Sequence, residues 1–330
     1  MISADFPWHL HVADFVTDSS DSDSECNSDL MTTSNPTIVV LHGFTGSGKI
    51  HFDLLSRGFR QSAALTRFRL VAPDLPGHGE TPLANSETHY TLDSQLQTLH
   101  RLITELQSNP SAATSTPPKP STSTYHNASS STNPPAATST PPKPSTSPIH
   151  LIGYSMGSRL ALAYALKHPE NIRSLTLESC NTGISSPSGR HARSQRDAQL
   201  AITLLNNYPT FLQSWNRLPL FASPQSAPAE PTASFSRIQQ QQRPEGLAAS
   251  LQHFSTGLSP DFSDDLSKLN MPVLGLSGVL DVQYSHKWQT IAAKYPNIRH
   301  ISLPHAGHRV HLDQPDAYID HIRTFVCENL

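Results

Sequence analysis

The stretch Leu151-Ile152-Gly153-Tyr154-Ser155-Met156-Gly157-Ser158-Arg159 constrains this chain more than any other. Its centre reads Gly-x-Ser-x-Gly. Ile149 to Ile152 before it is short and largely apolar, which predicts a buried strand. Arg159 to Lys167 after it is mostly apolar and predicts a helix, ended by His168-Pro169 because proline cannot continue one. A serine between a buried strand and a helix sits on a sharp turn that lifts its hydroxyl clear of the sheet. Gly153 and Gly157 suit such a turn, where a Cβ would meet the turn itself or the neighbouring strand. Glycine and serine are common, so the pentapeptide needs partners elsewhere in the chain.

Taken in order, Phe6 to Phe15 partly alternates and predicts an edge strand. Residues 17–34 carry five acidic side chains among serines and no basic one, which predicts a solvated loop. Thr37 to Leu41 is a β-branched strand followed by His42-Gly43-Phe44-Thr45-Gly46. Phe68 to Ala72 is a strand running into Asp74-Leu75-Pro76-Gly77-His78-Gly79, where His78 is expected to brace the loop. Leu92, Leu96, Leu99, Ile103 and Leu106 recur at helical spacing, so Thr91 to Gln107 is an amphipathic helix. Ser108 to Pro148 then holds ten of the 28 prolines, and AATSTPPKPSTS at Ala112 to Ser123 recurs unchanged at Ala136 to Ser147. Each repeat lacks an apolar face to stack, so a duplicated disordered insert is expected rather than a solenoid. Its ends are expected on the surface, away from the serine. Ser174 to Leu177, Pro272 to Ser277 and Arg299 to Leu303 are further strands, and a closing amphipathic helix carries Ala317, Tyr318, Ile322, Phe325 and Val326. Residues 183–265 break the alternation and are helical and polar.

Ser155, Asp281 and His308 fall in that order, Asp281 and His308 each just after a strand, where loops at the carboxyl edge of a parallel sheet converge. This is the triad order of the α/β-hydrolase fold. A serine hydroxyl needs a base, an imidazole titrates near neutrality, and a carboxylate fixes its tautomer. His308 stands out among 18 histidines through Ala306-Gly307-His308 after the last strand, with His305 and His311 as runners-up. In this fold the loop after the Thr37 strand supplies one oxyanion-hole amide, here Phe44, and the residue after the serine supplies the other, Met156. The expected architecture is α/β, a mostly parallel doubly wound sheet. It divides into a first core part (1–107), the insert (108–148), the core with the serine turn (149–182), a helical cap (183–265) and a last core part (266–330).

The formal net charge of −3 gives no reason to expect nucleic acid or an anionic membrane as a partner. Nothing long and apolar enough to span a membrane is present. The three cysteines form neither a metal spacing nor a disulfide framework, so a reducing compartment is expected, with no metal and no cofactor. The N-terminus lacks a secretory pattern and is acidic rather than Arg-rich. The cytoplasm is therefore expected, or a plastid if the source is photosynthetic and eukaryotic.

Arg159 lies one helical turn after Ser155 and needs an anion, from the protein or from a ligand. Arg190 and Arg193 share a helix face. Arg193 is open to two readings, a ligand contact or an i,i+4 pair with Asp197.

The chain resembles the 2-succinyl-6-hydroxy-2,4-cyclohexadiene-1-carboxylate synthases, α/β-hydrolase-fold lyases of menaquinone and phylloquinone synthesis. The resemblance runs through Leu41-His42-Gly43-Phe44, Asp74 to Gly79, Gly153 to Arg159 and Leu177-Glu178-Ser179. It continues through Arg190-x-x-Arg193 with Asp197, Phe211 to Trp215, Pro219 to Ser223, Gly246 to Leu251 and Ala306-Gly307-His308 with His311. It covers core and cap, without the two polar tracts. The resemblance implies a small polycarboxylate substrate and elimination of pyruvate without addition of water. It implies proton abstraction by Ser155 with His308, and ligand contacts from His42, Tyr154, Arg159, Arg193 and Trp215. Ser158 replaces a glycine usual there. A second cap arginine of the family would fall on Gln239, with Arg237 or Arg243 as substitutes by a register shift. A generic hydrolase of a carboxylate-bearing ester or C–C bond shares the triad, and a ligand-binding fold without catalysis is a third reading.

Overall fold

The computed structural model describes residues 2–3, 5–15, 36–60, 68–108, 148–224 and 227–330. The acidic loop expected over 17–34 and the repeats within 108–148 lie outside the described residues. The strands are β1 (Leu10–Asp14), β2 (Thr37–Leu41), β3 (Arg69–Pro73), β4 (Ile149–Tyr154), β5 (Ile172–Glu178), β6 (Val273–Gly278) and β7 (Ile298–Leu303). They form one sheet in the order β1-β3-β2-β4-β5-β6-β7. Only β1 runs antiparallel, against β3, and it is the edge strand expected from the sequence.

Helices cover both faces of the sheet, which is why β2, β3 and β4 read as near-continuous apolar runs. Alternate side chains sort between two cores. Val39, Leu41 and Leu151 pack with Leu99, Leu102 and Ile103 of α2 (Leu92–Ser108) and with Leu160 to Ala165 of α3 (Met156–Lys167). Ile38, Val40 and Ile152 pack on the other face, with Leu55 and Phe59 of α1 (Gly48–Arg60) and with residues of a helix at the chain's end.

Four helices separate β5 from β6: α4 (Pro187–Asn206), α5 (Tyr208–Asn216), α6 (Ala229–Gln240) and α7 (Pro244–His253). The first two start on side-chain caps, Ser186 accepting from the Gly189 amide at 3.1 Å and Asn207 from the Thr210 amide at 3.0 Å. Their apolar faces make a separate cluster of Ala201, Leu204, Phe211, Leu212, Leu247 and Leu251. After β6 come α8 (Val282–Lys294), the short α9 (Val310–Asp313) and the closing α10 (Pro315–Cys327), whose Tyr318, Ile322 and Phe325 pack against α1 and the sheet. Pro148 directly precedes β4 and so lies at the end of that strand opposite Ser155, and Ser108 is the last residue of α2. Among the described residues no helix is long and apolar enough to cross a membrane.

Candidate active site

Ser155 has φ 49° and ψ −104°, a region L-residues rarely occupy, so the turn must be held from outside. Three bonds hold it. The Ser155 amide donates to the carbonyl of Glu178 on β5 at 2.9 Å. The Ser158 hydroxyl and the Arg159 amide donate to the Ser155 carbonyl at 2.6 Å and 3.3 Å. Ser158, in the place of a glycine, thus uses its hydroxyl to brace the turn. Glycine is required at two points. A Cβ on Gly153 would lie 2.5 Å from the Ser158 Cα, and one on Gly157 would lie 2.3 Å from the Leu41 carbonyl oxygen. As the first residue of α3, Met156 has an amide with no partner one turn earlier, and such an amide faces incoming negative charge.

The three residues picked from the sequence by order meet in space. Nε2 of His308 lies 3.0 Å from the Ser155 hydroxyl and Nδ1 lies 2.6 Å from Oδ2 of Asp281. Asp281 and His308 are both buried, so their mutual attraction is little screened by water. The neighbouring histidines are excluded from this role. His311 pairs with Glu178, while His305 is exposed and the Ser155 hydroxyl bonds to the His308 ring instead.

A cavity of about 110 Å³ opens above Ser155. Its walls include Phe44, Arg159, Arg193, Trp215, Phe221 and His308. Arg159 is 6% exposed. Its guanidinium donates to the Ser259 hydroxyl at 2.8 Å and the Phe254 carbonyl at 2.9 Å, and lies over the Phe254 ring. No Asp or Glu among the described residues comes within ion-pair distance of it. Burial, then the nearby Arg193 charge, lowers its pKa to about 10. Arg193 is different: its Nε lies 2.9 Å from both oxygens of Asp197, which also accepts from the Ser255 hydroxyl at 2.6 Å. The i,i+4 pair is therefore present, and Arg193 still lines the cavity. Trp215 stacks on Phe211 and meets Phe44 edge-on and Phe221 at a tilt, and its buried Nε1 has no partner among the described residues.

Two expected ligand contacts are placed elsewhere. His42 donates from Nδ1 to the Gly43 carbonyl at 2.8 Å and accepts the Leu75 amide on Nε2 at 2.9 Å. Both ring nitrogens are spent on backbone, burial lowers its pKa, and it is not a cavity residue. It braces the loop that carries Phe44. Tyr154 also lies outside the cavity wall, its ring packed against His311 and His308 and its hydroxyl paired with Arg309. It faces the far side of the catalytic histidine because side chains alternate along β4, and the serine that follows takes the upper side.

Arg237 bonds to Ser234 on its own helix, and Arg243 donates to the carbonyls of Gly79 and Thr81, so neither register-shifted arginine reaches the cavity. Gln239 is buried and bonds to Thr45 and Asn216. Arg190 folds back on the Ile184 and Ser185 carbonyls. His78 braces its loop through the Pro76 carbonyl, as expected. Sequence reasoning missed Asn181 and Tyr284 in the cavity wall and Arg309 behind it. Asn181 follows β5, and Tyr284 comes three residues after Asp281; their positions at the carboxyl edge were the available signal.

The pattern of the Alpha/beta hydrolase family matches residues 38–321. Over 279 residues the chain is 28% identical to a protein of Bacillus subtilis described as a putative 2-succinyl-6-hydroxy-2,4-cyclohexadiene-1-carboxylate synthase, covering 84% of this chain and 85% of that one. It is 32% identical over 178 residues to the 2-succinyl-6-hydroxy-2,4-cyclohexadiene-1-carboxylate synthase of Pectobacterium atrosepticum, covering 53% of this chain and 67% of that one. Among solved structures, MenH from S. aureus superposes with a TM-score of 0.74 at 23% identity, over 97% of this chain and 98% of that one.

Proposed function

Because this chain belongs to the α/β-hydrolase family, we propose that its triad serves a lyase, a 2-succinyl-6-hydroxy-2,4-cyclohexadiene-1-carboxylate synthase. The reaction eliminates pyruvate from 2-succinyl-5-enolpyruvyl-6-hydroxy-3-cyclohexene-1-carboxylate. One juxtaposition carries the reading: Ser155, 3.0 Å from the His308 Nε2, shares its cavity with the guanidinium groups of Arg159 and Arg193. A site for neutral esters has no use for two arginines beside the nucleophile. A substrate with three carboxylates has, because a buried carboxylate needs a charge-assisted partner.

His308 takes the serine proton as the Ser155 oxygen removes a proton beside the succinyl ketone, and Asp281 stabilises the imidazolium that forms. The ketone oxygen gathers negative charge, met by the amides of Phe44 and Met156. The electron pair then forms the ring C2=C3 bond, the existing C3=C4 pair shifts to C4=C5, and the C5–O bond to the enolpyruvyl group breaks. The leaving enolate takes up the proton held by the His308 imidazolium and becomes pyruvate. Arg159, whose protein partners are neutral, supplies positive charge for one carboxylate. Only the Nε of Arg193 is engaged by Asp197, so its Nη groups remain for another. The unpartnered Trp215 Nε1 is a further donor.

Purified protein incubated with this substrate is expected to release pyruvate and develop the diene absorbance together. Turnover of p-nitrophenyl esters without pyruvate release would reject the lyase in favour of a hydrolase. Activity in neither assay would favour a ligand-binding fold.

A further inference from the structure

Arg309 is charged, 9% exposed and without a carboxylate partner among the described residues. Its Nη2 donates to the side-chain oxygen of Asn216 at 2.8 Å, the guanidinium pairs with the Tyr154 hydroxyl, and its Nε has no partner among the described residues. Asp313 acts on it only from beyond ion-pair distance, and Oδ2 of that residue already accepts the Gly307 amide at 2.7 Å. The rings of Phe221 and Phe235 lie over the guanidinium, with centroids 4.1 Å and 4.8 Å away. A buried cation held by neutral groups is costly, and the shortfall is removed when an anion docks.

Arg309 also stands in the right place for one. It follows His308 in the chain, and Phe221, which covers it, is itself a wall of the cavity above Ser155. That cavity, at about 110 Å³, is smaller than the roughly 300–1,000 Å³ of ordinary ligand sites. A ligand must therefore push cap side chains outward. Phe221, which lies over Arg309 and lines the cavity, and Asn216, its hydrogen-bond partner, both belong to the cap, whereas Tyr154, which pairs with Arg309 from the other side, belongs to the sheet. Their withdrawal turns Arg309 toward the ligand without moving its support.

We propose that Arg309 is a substrate-binding arginine, receiving a carboxylate at the wall of the cavity formed by Phe221. Gln239, whose amide is spent on Thr45 and Asn216, carries no charge there to do so. The proposal rests on the polycarboxylate reading of the site but not on the elimination chemistry.

The test is calorimetric titration of the full chain, Arg309→Met and Arg309→Lys with 2-succinylbenzoate, a stable dianion, and with its dimethyl ester, beside a thermal melt of each variant. The dianion is expected to bind wild type at least about tenfold more tightly than the ester. It should lose about 30-fold or more in Arg309→Met and less in Arg309→Lys, while ester binding changes by less than about threefold in both. Equal losses for dianion and ester, or no loss of either, would overturn the proposal and leave Arg309 as a brace between cap and core. If Arg309→Met does not fold, the same comparison is read from Arg309→Lys. A wild type that shows no preference for the dianion also overturns it, whatever the pyruvate assay gives. A wild type that prefers the dianion but releases no pyruvate rejects the lyase and leaves the Arg309 site standing.

Discussion

The backbone carbonyl of Glu178 accepts the amide of Ser155 at 2.9 Å, while its carboxylate accepts the His311 amide at 3.1 Å and pairs with the His311 ring at 2.8 Å. One residue at the end of β5 thus holds both the strained nucleophile turn and the loop that carries His308. Burial alone would raise the Glu178 pKa, but His311 and His51 outweigh it and hold it at about 2.

Removing that carboxylate leaves His311 buried without its partner. Glu178→Ala is expected to cost about 3–5 kcal/mol of folding stability. Glu178→Gln, which keeps an acceptor oxygen, should cost less. Urea denaturation of both variants checks this, and an unchanged midpoint in Glu178→Ala would show that the pair contributes nothing.

The triad should behave as one unit. Ser155→Ala and His308→Ala are each expected to remove most turnover, and the double variant little more than either. Asp281→Asn should lower kcat by about 10³–10⁴-fold, because an amide across the 2.6 Å contact can donate to Nδ1 and hold His308 in the wrong tautomer. Full turnover in Ser155→Ala would refute the assignment.

The two cavity arginines should differ. Arg159 bonds to neutral groups, so Arg159→Lys is expected to melt near wild type yet lose about 30- to several thousand-fold in kcat/KM, equivalent to about 2–5 kcal/mol. Arg193→Ala strands the buried Asp197 and should lower both melting temperature and kcat/KM. Measuring both properties on the same preparation separates the cases. An Arg159→Ala enzyme that is destabilised but fully active per folded molecule would reassign Arg159 to the fold.

Acid should unfold the chain through its buried neutral histidines. Burial lowers His51 and His150 to about 4 and His78 to about 3, from a usual 6.5. Each is neutral in the folded chain and takes up a proton on unfolding. Their contribution is complete above pH 6.5 and falls with pH toward those lowered values. About 3 kcal/mol is at stake for His51 and for His150 and about 5 kcal/mol for His78, against a typical total of about 5–15 kcal/mol. Circular dichroism against pH is expected to show unfolding between about pH 6.5 and 4, and a chain still folded at pH 3 would contradict this.

The strands, the main helices, the Ser155–Asp281–His308 set and the cavity position of Trp215 were legible in the sequence for a shared reason. Each is a local property: a period of apolar side chains, or a position just beyond the carboxyl end of a buried strand, which a parallel sheet converts into proximity. His42 was expected at the ligand and instead bonds backbone, because the Leu75 amide is brought to it by the pairing of β2 with β3. Tyr154 was expected at the ligand and lies outside the cavity wall, because alternation along β4 decides which side of His308 its ring occupies. Arg309, beside the catalytic histidine in sequence, was missed entirely. Its neighbours Asn216, Phe221 and Phe235 come from the cap and Tyr154 from the sheet, so no local pattern could mark it. The sequence by itself determined the fold class, the order of the chemical groups and which strand ends carry them. Tertiary structure alone decided which long polar side chains face the ligand and which brace the fold. A guanidinium or imidazole takes its partner from whatever packing brings within about 3 Å, and for Arg159, Arg309 and the Nε2 of His42 that partner is distant in the chain.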